Sequence, residues 1–198
     1  EQFVLSGKSN SSQIEPFLKS LPPSLSKGYG GNTACIQVSS GAQSLIIDAG
    51  SGIRSLGETL MGGACGAGRG KVHILMTHFH WDHIIGLAFF FPVFVLLFEV
   101  HFYAVQPDLE KNIRAIFTKP FFPVAFESLA SKVFFHQLER RESTDLEGFS
   151  ITPYQLDHPD PCWGYKIVRD GKTFSYCVDS ETTRVSAKDM GPDLALYQ

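Results

Sequence analysis

The seven residues Thr77-His78-Phe79-His80-Trp81-Asp82-His83 restrict the fold of this chain more than any other stretch. They follow directly on an apolar segment, Val72–Met76, that reads as a strand. Within six of these positions lie four potential metal ligands, three imidazoles and one carboxylate. In extended backbone, residues two apart point the same way, so His78 and His80 can share one ion. Asp82 and His83 then turn toward a neighbouring position as the next helix begins. Imidazole and carboxylate without thiolate suit Zn²⁺, Mn²⁺ or Fe²⁺ in an open site of the catalytic kind. The alternative is a set of surface or core histidines that merely cluster. With seven histidines in 198 residues, three of them within six positions beside an aspartate argue against it.

Length and composition frame this motif. A chain of 198 residues with 43% hydrophobic and 19% charged residues is globular and fits a single domain over 1–198. The net charge of −3 leaves no basic excess for a general nucleic-acid clamp. Four cysteines without a C-x-x-C pair are too sparse for a disulfide scaffold and fit reduced thiols in a cytoplasm. The run Ile84–Phe98 is apolar throughout, but a spanning helix needs roughly 18 or more such residues. It also contains Pro92, so it reads as a buried helix start and a core loop, and no membrane association is expected. The first residues do not have the pattern of a signal peptide.

Several short patterns fail. Gly7-Lys8-Ser9 resembles the end of a phosphate-binding loop, but Gln2 stands where that motif needs glycine. The glycines from Gly62 to Gly70 do not make G-x-G-x-x-G and read as a surface loop. Asn10-Ser11-Ser12 is a glycosylation sequon in letters only.

Along the chain, Phe3–Leu5 is short and β-like, and a polar, proline-bearing segment runs from Lys8 to Lys27. Ala34–Val38 and Ser44–Ile47 read as strands around a Ser39-Ser40-Gly41 turn, and Ile53–Leu60 as a short helix. Asp108–Phe117 reads as a helix behind Pro107, with Leu109, Ile113 and Ile116 on one face. Ser150–Leu156, Gly164–Val168 and Thr173–Val178 are further strands, the last two joined at Asp170-Gly171. Pro192–Tyr197 reads as the next strand. Few helices separate these strands, so an α/β sandwich of two sheets fits better than a doubly wound sheet.

The chain resembles the metallo-β-lactamase superfamily, whose hallmark is H-x-H-x-D-H after a strand. Tyr29-Gly30-Gly31-Asn32-Thr33-Ala34-Cys35 and Leu45-Ile46-Ile47-Asp48-Ala49-Gly50-Ser51-Gly52 are similar to the opening of its phosphodiesterase-like branch. That branch includes ribonuclease Z and a cyclic phosphodiesterase of phosphonate breakdown. Leu156-Asp157-His158-Pro159, Gly164-Tyr165 and Val178-Asp179-Ser180-Glu181 resemble its later motifs, and Phe121-Phe122-Pro123-Val124 resembles uncharacterised bacterial members. The likeness covers roughly residues 29–197, leaving 1–28 poorly matched.

The resemblance implies an αββα sandwich lacking its C-terminal portion, and a site for two divalent ions, Zn²⁺ foremost. His78, His80 and His158 would hold the first ion, Asp82 and His83 the second, with Asp179 bridging. Asp48, ending a strand, would accept a hydrogen bond from a ligating imidazole and fix its orientation. The family closes its second metal site with a further histidine, whereas no histidine follows His158.

The resulting expectation is a phosphodiesterase that attacks a cyclic nucleotide or other small phosphodiester with a metal-activated hydroxide, Asp82 orienting the nucleophile. One alternative keeps the site for a thioester, lactone or β-lactam; the other is a degenerate domain that binds metal or nucleotide without turnover. By analogy alone, the branch implies a homodimer. His73, His101 and His136 read as structural; Trp81 could line the mouth of the site but is expected to pack its loop, and Phe89–Phe91, Phe94 and Phe98 could shape an apolar substrate wall but are expected in the core. Cys177 is expected buried on the strand face of Asp179, and Cys162 has no assigned role.

Overall fold

A computed structural model describes residues 11–21, 31–181 and 187–196, so Phe3–Leu5 and the Tyr29-Gly30 start of the first motif lie outside it. The chain divides into two units, residues 1–33 and 34–198. In the first, helix α1 (Ile14–Ser20) follows a 3-10 turn at Ser11–Gln13 and buries none of its side chains. Its exposed Glu15–Lys19 pair, 2.7 Å apart at i,i+4, adds about 0.3–0.5 kcal/mol.

The second unit is built on two sheets. β1 (Ile36–Ser40) and β2 (Gln43–Ile47) form an antiparallel hairpin. β3 (Lys71–Leu75), β4 (Glu99–Ala104) and β5 (Lys132–Gln137) then extend β2 in parallel, in the order β1-β2-β3-β4-β5. The other sheet is antiparallel, in the order β6 (Thr144–Leu146), β7 (Phe149–Gln155), β8 (Trp163–Arg169), β9 (Lys172–Tyr176). β8 and β9 meet at Asp170 and Gly171, both with positive φ, which is the primed turn that strand twist favours.

Alternate side chains sort the layers. Ile46, Ile74 and Phe102 face the helices α2 (Gly52–Met61) and α4 (Leu109–Ile116), where Ile53, Leu109 and Ile113 are buried with them. Leu45, Ile47, Leu75 and Tyr103 face the other way and meet Phe149, Ile151, Tyr165 and Ile167 of the second sheet. On the outer face of that sheet, the short helix α5 (Ala187–Met190) leads into a 3-10 turn, Gly191–Leu196. Leu196 sits over Gly164 so closely that a Cβ there would come within 2.3 Å of it. The layers are helix, sheet, sheet, helical turn, as an αββα sandwich requires.

Three departures from the sequence reading have local causes. The strand expected over Pro192–Tyr197 is, in its described part, a 3-10 turn over Gly191–Leu196 (Tyr197 lies outside the described residues), and it swings Asp193 inward, where it accepts from the Gln155 backbone N–H at 3.1 Å and from Arg140. β4 and β5 escaped notice because His101, Glu99 and His136 break their apolar pattern. Ile84–Phe98 forms 3-10 turns, Ile85–Phe89 and Phe91–Phe94, that bury Leu87, Phe90 and Val93 but leave Ile85, Phe89, Phe91, Leu96 and Leu97 exposed. Among the described residues no helix is long and apolar enough to cross a membrane.

At one end of the strands the sheets are locked together. Tyr165 donates its hydroxyl to the Met76 carbonyl at 2.6 Å, Trp163 donates its backbone N–H to Thr77 O at 3.0 Å, and Gln106 ties Thr77 O to Pro161 O. Toward the other end, His73, His101 and His136 fill the space between sheets with Tyr103. His101 Nδ1 and His136 Nε2 lie 3.0 Å apart, so one must donate and the other accept. His73 meets Tyr103 OH at 2.9 Å and Glu147, which Lys71 also binds. Burial depresses the pKa of His73 and His136, and His101 adds to it in both.

Two outcomes follow from this frame. Tyr165→Phe removes the buried donor to Met76 O and should lower unfolding stability by about 1–3 kcal/mol in urea titrations. Because the depressed histidines take up protons more readily once unfolded, stability of the metal-free chain should fall as pH drops below the unfolded value of about 6.5. Urea midpoints at stepped pH check this, and His136→Phe should flatten the slope.

Candidate metal centre

Asp48 ends β2 and is fully buried, with φ of 60°, a left-handed backbone that few non-glycine residues adopt. Its carboxylate accepts from the Thr77 backbone N–H at 2.9 Å, from the Thr77 hydroxyl at 2.9 Å and from His83 Nδ1 at 2.8 Å. Burial raises its pKa, while the hydrogen bonds from His83 and Thr77 work against that rise. The backbone reinforces the contact: Ala49 donates to His83 O at 2.8 Å and Gly86 to Ala49 O at 2.9 Å. Gly86 is needed there, since a Cβ would fall 2.0 Å from Gly50 O.

This carboxylate orients two imidazoles. His83, in the short helix α3 (Trp81–Ile84), spends Nδ1 on Asp48 and turns Nε2 toward Asp82 Oδ2 and Asp179 Oδ2, each 3.3 Å away. Burial presses His83 toward neutrality, but Asp48, Asp179 and Asp82 outweigh it and raise its pKa. The Thr77 hydroxyl, having given its proton to Asp48, presents a lone pair to His78 Nδ1 at 3.1 Å. His78 Nε2 is therefore free to face the cluster. It is buried with no hydrogen-bond partner among the described residues, 3.6 Å from Asp179 Oδ2. Burial, with His83 and His80 nearby, pushes the His78 pKa down to about 4, so its ring is a neutral donor of a lone pair at neutral pH.

His80 is oriented from the opposite side. Its Nε2 meets Asp160 Oδ2 at 2.7 Å, and its Nδ1 lies 3.3 Å from His158 Nε2. The hydrogen bond from His80 lowers the pKa of Asp160. Asp179 follows β9 with φ of 41°, a second left-handed residue at the cluster. One donor atom each from His78, His80, His158 and Asp179 lie within 4.8 Å of one another, and the same holds for Asp82, His83 and Asp179. The structure thus brings together all six residues that the motifs single out, in two groups that share Asp179.

Three of the donor separations fit a single ion directly, and the remaining ones within each group lie within 4.8 Å. Two donors at ~2.05 Å from a tetrahedral ion are ~3.3 Å apart. The His80–His158, His83–Asp82 and His83–Asp179 separations are each 3.3 Å. The lone buried Nε2 of His78 is the polar atom that an ion at this place satisfies.

Asp160 and Thr77 have roles that sequence reading missed. Asp160 lies two residues past His158, and only the fold brings it to His80. Cys162 is buried behind His78, Sγ 3.5 Å from Nδ1, and burial pushes its pKa up to about 12, so it stands there as a thiol. Cys177 is exposed rather than buried. Trp81 does not pack its loop: its side chain is 66% exposed.

Comparison with known proteins bears on the family and the fold. The family model described as Beta-lactamase superfamily domain matches residues 44–198. Ribonuclease Z of Bacteroides thetaiotaomicron is 32% identical over 47% of this chain, and ribonuclease Z of Staphylococcus carnosus is 28% identical over 62% of it. The matched stretches cover 29% and 39% of those relatives, so the chain spans well under two thirds of their length. The metallo-beta-lactamase fold protein YhfI from Bacillus subtilis superposes with a TM-score of 0.54 at 20% identity, covering 77% of this chain and 57% of that one. Human tRNase Z, short form, superposes with a TM-score of 0.51 at 19% identity, covering 72% and 61%. The fold, the motif positions and the extent of the family match together establish that this chain belongs to the beta-lactamase superfamily.

Proposed function

We propose that the chain carries the site of a metal-dependent hydrolase, a phosphodiesterase acting on a cyclic nucleotide or another small phosphodiester. The observation that carries this reading is the pair of donor groups joined at Asp179, the donor atoms of each lying within 4.8 Å of one another. His78, His80 and His158 with Asp179 would hold one divalent ion, and Asp82 and His83 with Asp179 the other; Zn²⁺ suits this nitrogen and oxygen set. Bound divalent ions supply Lewis acidity, lowering the pKa of water toward ~7 and neutralising phosphoryl charge.

The chain's own groups do the rest. Asp48 and Asp160 hold His83 and His80 in the tautomers that turn a lone pair inward. The Asp82 side chain is half exposed, so its carboxylate borders solvent as well as His83 and can orient an attacking water. The similarity to ribonuclease Z sequences supports a phosphodiester over other substrates. So does the absence, among the described residues, of a cysteine in either donor group. The net charge of −3 favours a small substrate over a long polyanion.

Elemental analysis of gently purified protein should find two divalent ions per chain. Chelation should abolish hydrolysis of bis(p-nitrophenyl) phosphate, and added Zn²⁺ or Mn²⁺ should restore it; nucleotide binding without any turnover would sink the hydrolase. His80→Ala should remove that turnover, and an unchanged rate would refute the metal assignment. Asp48→Asn keeps the volume but loses the charge that orients His83, and should weaken metal affinity about 10–100-fold in chelator competition.

A further inference from the structure

Trp81 stands between two of the candidate ligands, His80 and Asp82, yet leaves 66% of its surface in solvent. It is the first residue of α3, and side chains on a helix tilt toward its beginning. The indole thus stands in solvent at the rim of the donor cluster, next in sequence to two of its members. Ile85, one turn on, closes its backbone N–H onto the Trp81 carbonyl and is itself 42% exposed. Residues four apart share a helix face, so Trp81 and Ile85 put two apolar side chains into solvent on one side of this turn, while Ile84 is buried in the core. The turn that carries Trp81 is anchored through His83 to Asp48.

We propose that Trp81, exposed between His80 and Asp82, is a base-binding subsite: the planar base of a small nucleotide diester stacks on the indole while its phosphate faces the donor cluster. The placement of the phosphate rests on the phosphodiesterase reading above. An indole face is selective for planar π-systems, because stacking adds to apolar burial what a sugar or an aliphatic alcohol cannot supply. With no positive field to draw a polyanion, one stacked base and one phosphate are the recognition this surface offers.

Tryptophan fluorescence reads this subsite directly, since the second of the two tryptophans, Trp163, is buried. In the metal-free full chain, adenosine should quench emission saturably and ribose should not. Trp81→Phe should remove the quench and keep the emission of Trp163, which reports an intact fold. In Zn²⁺-loaded protein, calorimetry should show adenosine monophosphate binding about tenfold tighter than ribose phosphate, equivalent to about 1.4 kcal/mol. That ratio should collapse toward one in Trp81→Ala and return in Trp81→Phe. Equal affinity for the two ligands in the unaltered chain, or an unchanged ratio in Trp81→Ala, would overturn the subsite. A base preference in a chain that hydrolyses no phosphodiester supports the subsite and removes the hydrolase. Hydrolysis without a base preference removes the subsite alone.

Discussion

The buried carboxylate of Asp48 is the interaction on which the rest of this site depends. Taking a carboxylate out of water costs several kcal/mol unless its oxygens are satisfied. Here Thr77 and His83 satisfy them, and each partner lies in or directly before the histidine motif. One group thus sets the ring of His83 directly and that of His78 through the Thr77 hydroxyl. It therefore reaches both donor groups at once. The left-handed backbone at Asp48 is part of the same device, turning the chain out of β2 so that Ala49 can pair with His83. Strain of this kind persists only where the surroundings over-determine it, and four hydrogen bonds converge on these two residues from the motif side.

The motif was legible because its chemistry is local. Three imidazoles and a carboxylate within six residues are informative before any fold is known, and His158 and Asp179 gain meaning beside them. The hairpin at Asp170-Gly171 was legible for the same reason, since a primed turn needs those residue types. What was hidden is what depends on distant packing. Asp160 meets His80 across a separation of 80 residues, and no spacing rule joins them. β4 and β5 were obscured because their inward face carries His101, Tyr103 and His136 in place of aliphatic residues, which stack between the sheets as aromatic rings do. The apolar run after the motif misled in the opposite sense, because hydrophobicity marks a buried face only where a regular period selects one. In successive 3-10 turns the same letters fall on both sides.

Trp81 shows why residue type cannot assign burial near a site. Between His80 and Asp82 the backbone is already committed, with both neighbours turned to the cluster, so the remaining direction for the indole is outward. A tryptophan there is held at the rim by the ligands' geometry and not by a core. Ile85 is outward for a related reason, as Gly86 must stay tight against Gly50 and Ile84 takes the inward place.

The donor cluster also opposes the fold that holds it. His78 and His83 are buried with four ring centroids, theirs and those of His80 and His158, packed at 4.1–5.1 Å for the contacts they make. Two carboxylates point at the Nε2 of His83, and an unpaired nitrogen of His78 faces Asp179. Without a cation, the buried Nε2 of His78 has no hydrogen-bond partner among the described residues. Protonation relieves this only in part, since burial drives His78 to stay neutral while Asp48 and its neighbours draw a proton to His83. Divalent ions held by the two donor groups would relieve these contacts together. Any free energy of ion binding that the folded arrangement gains over the unfolded chain is then free energy of folding as well. The hydrogen bonds that His83 and His80 donate to Asp48 and Asp160 keep the rings in place when no ion is there to do so.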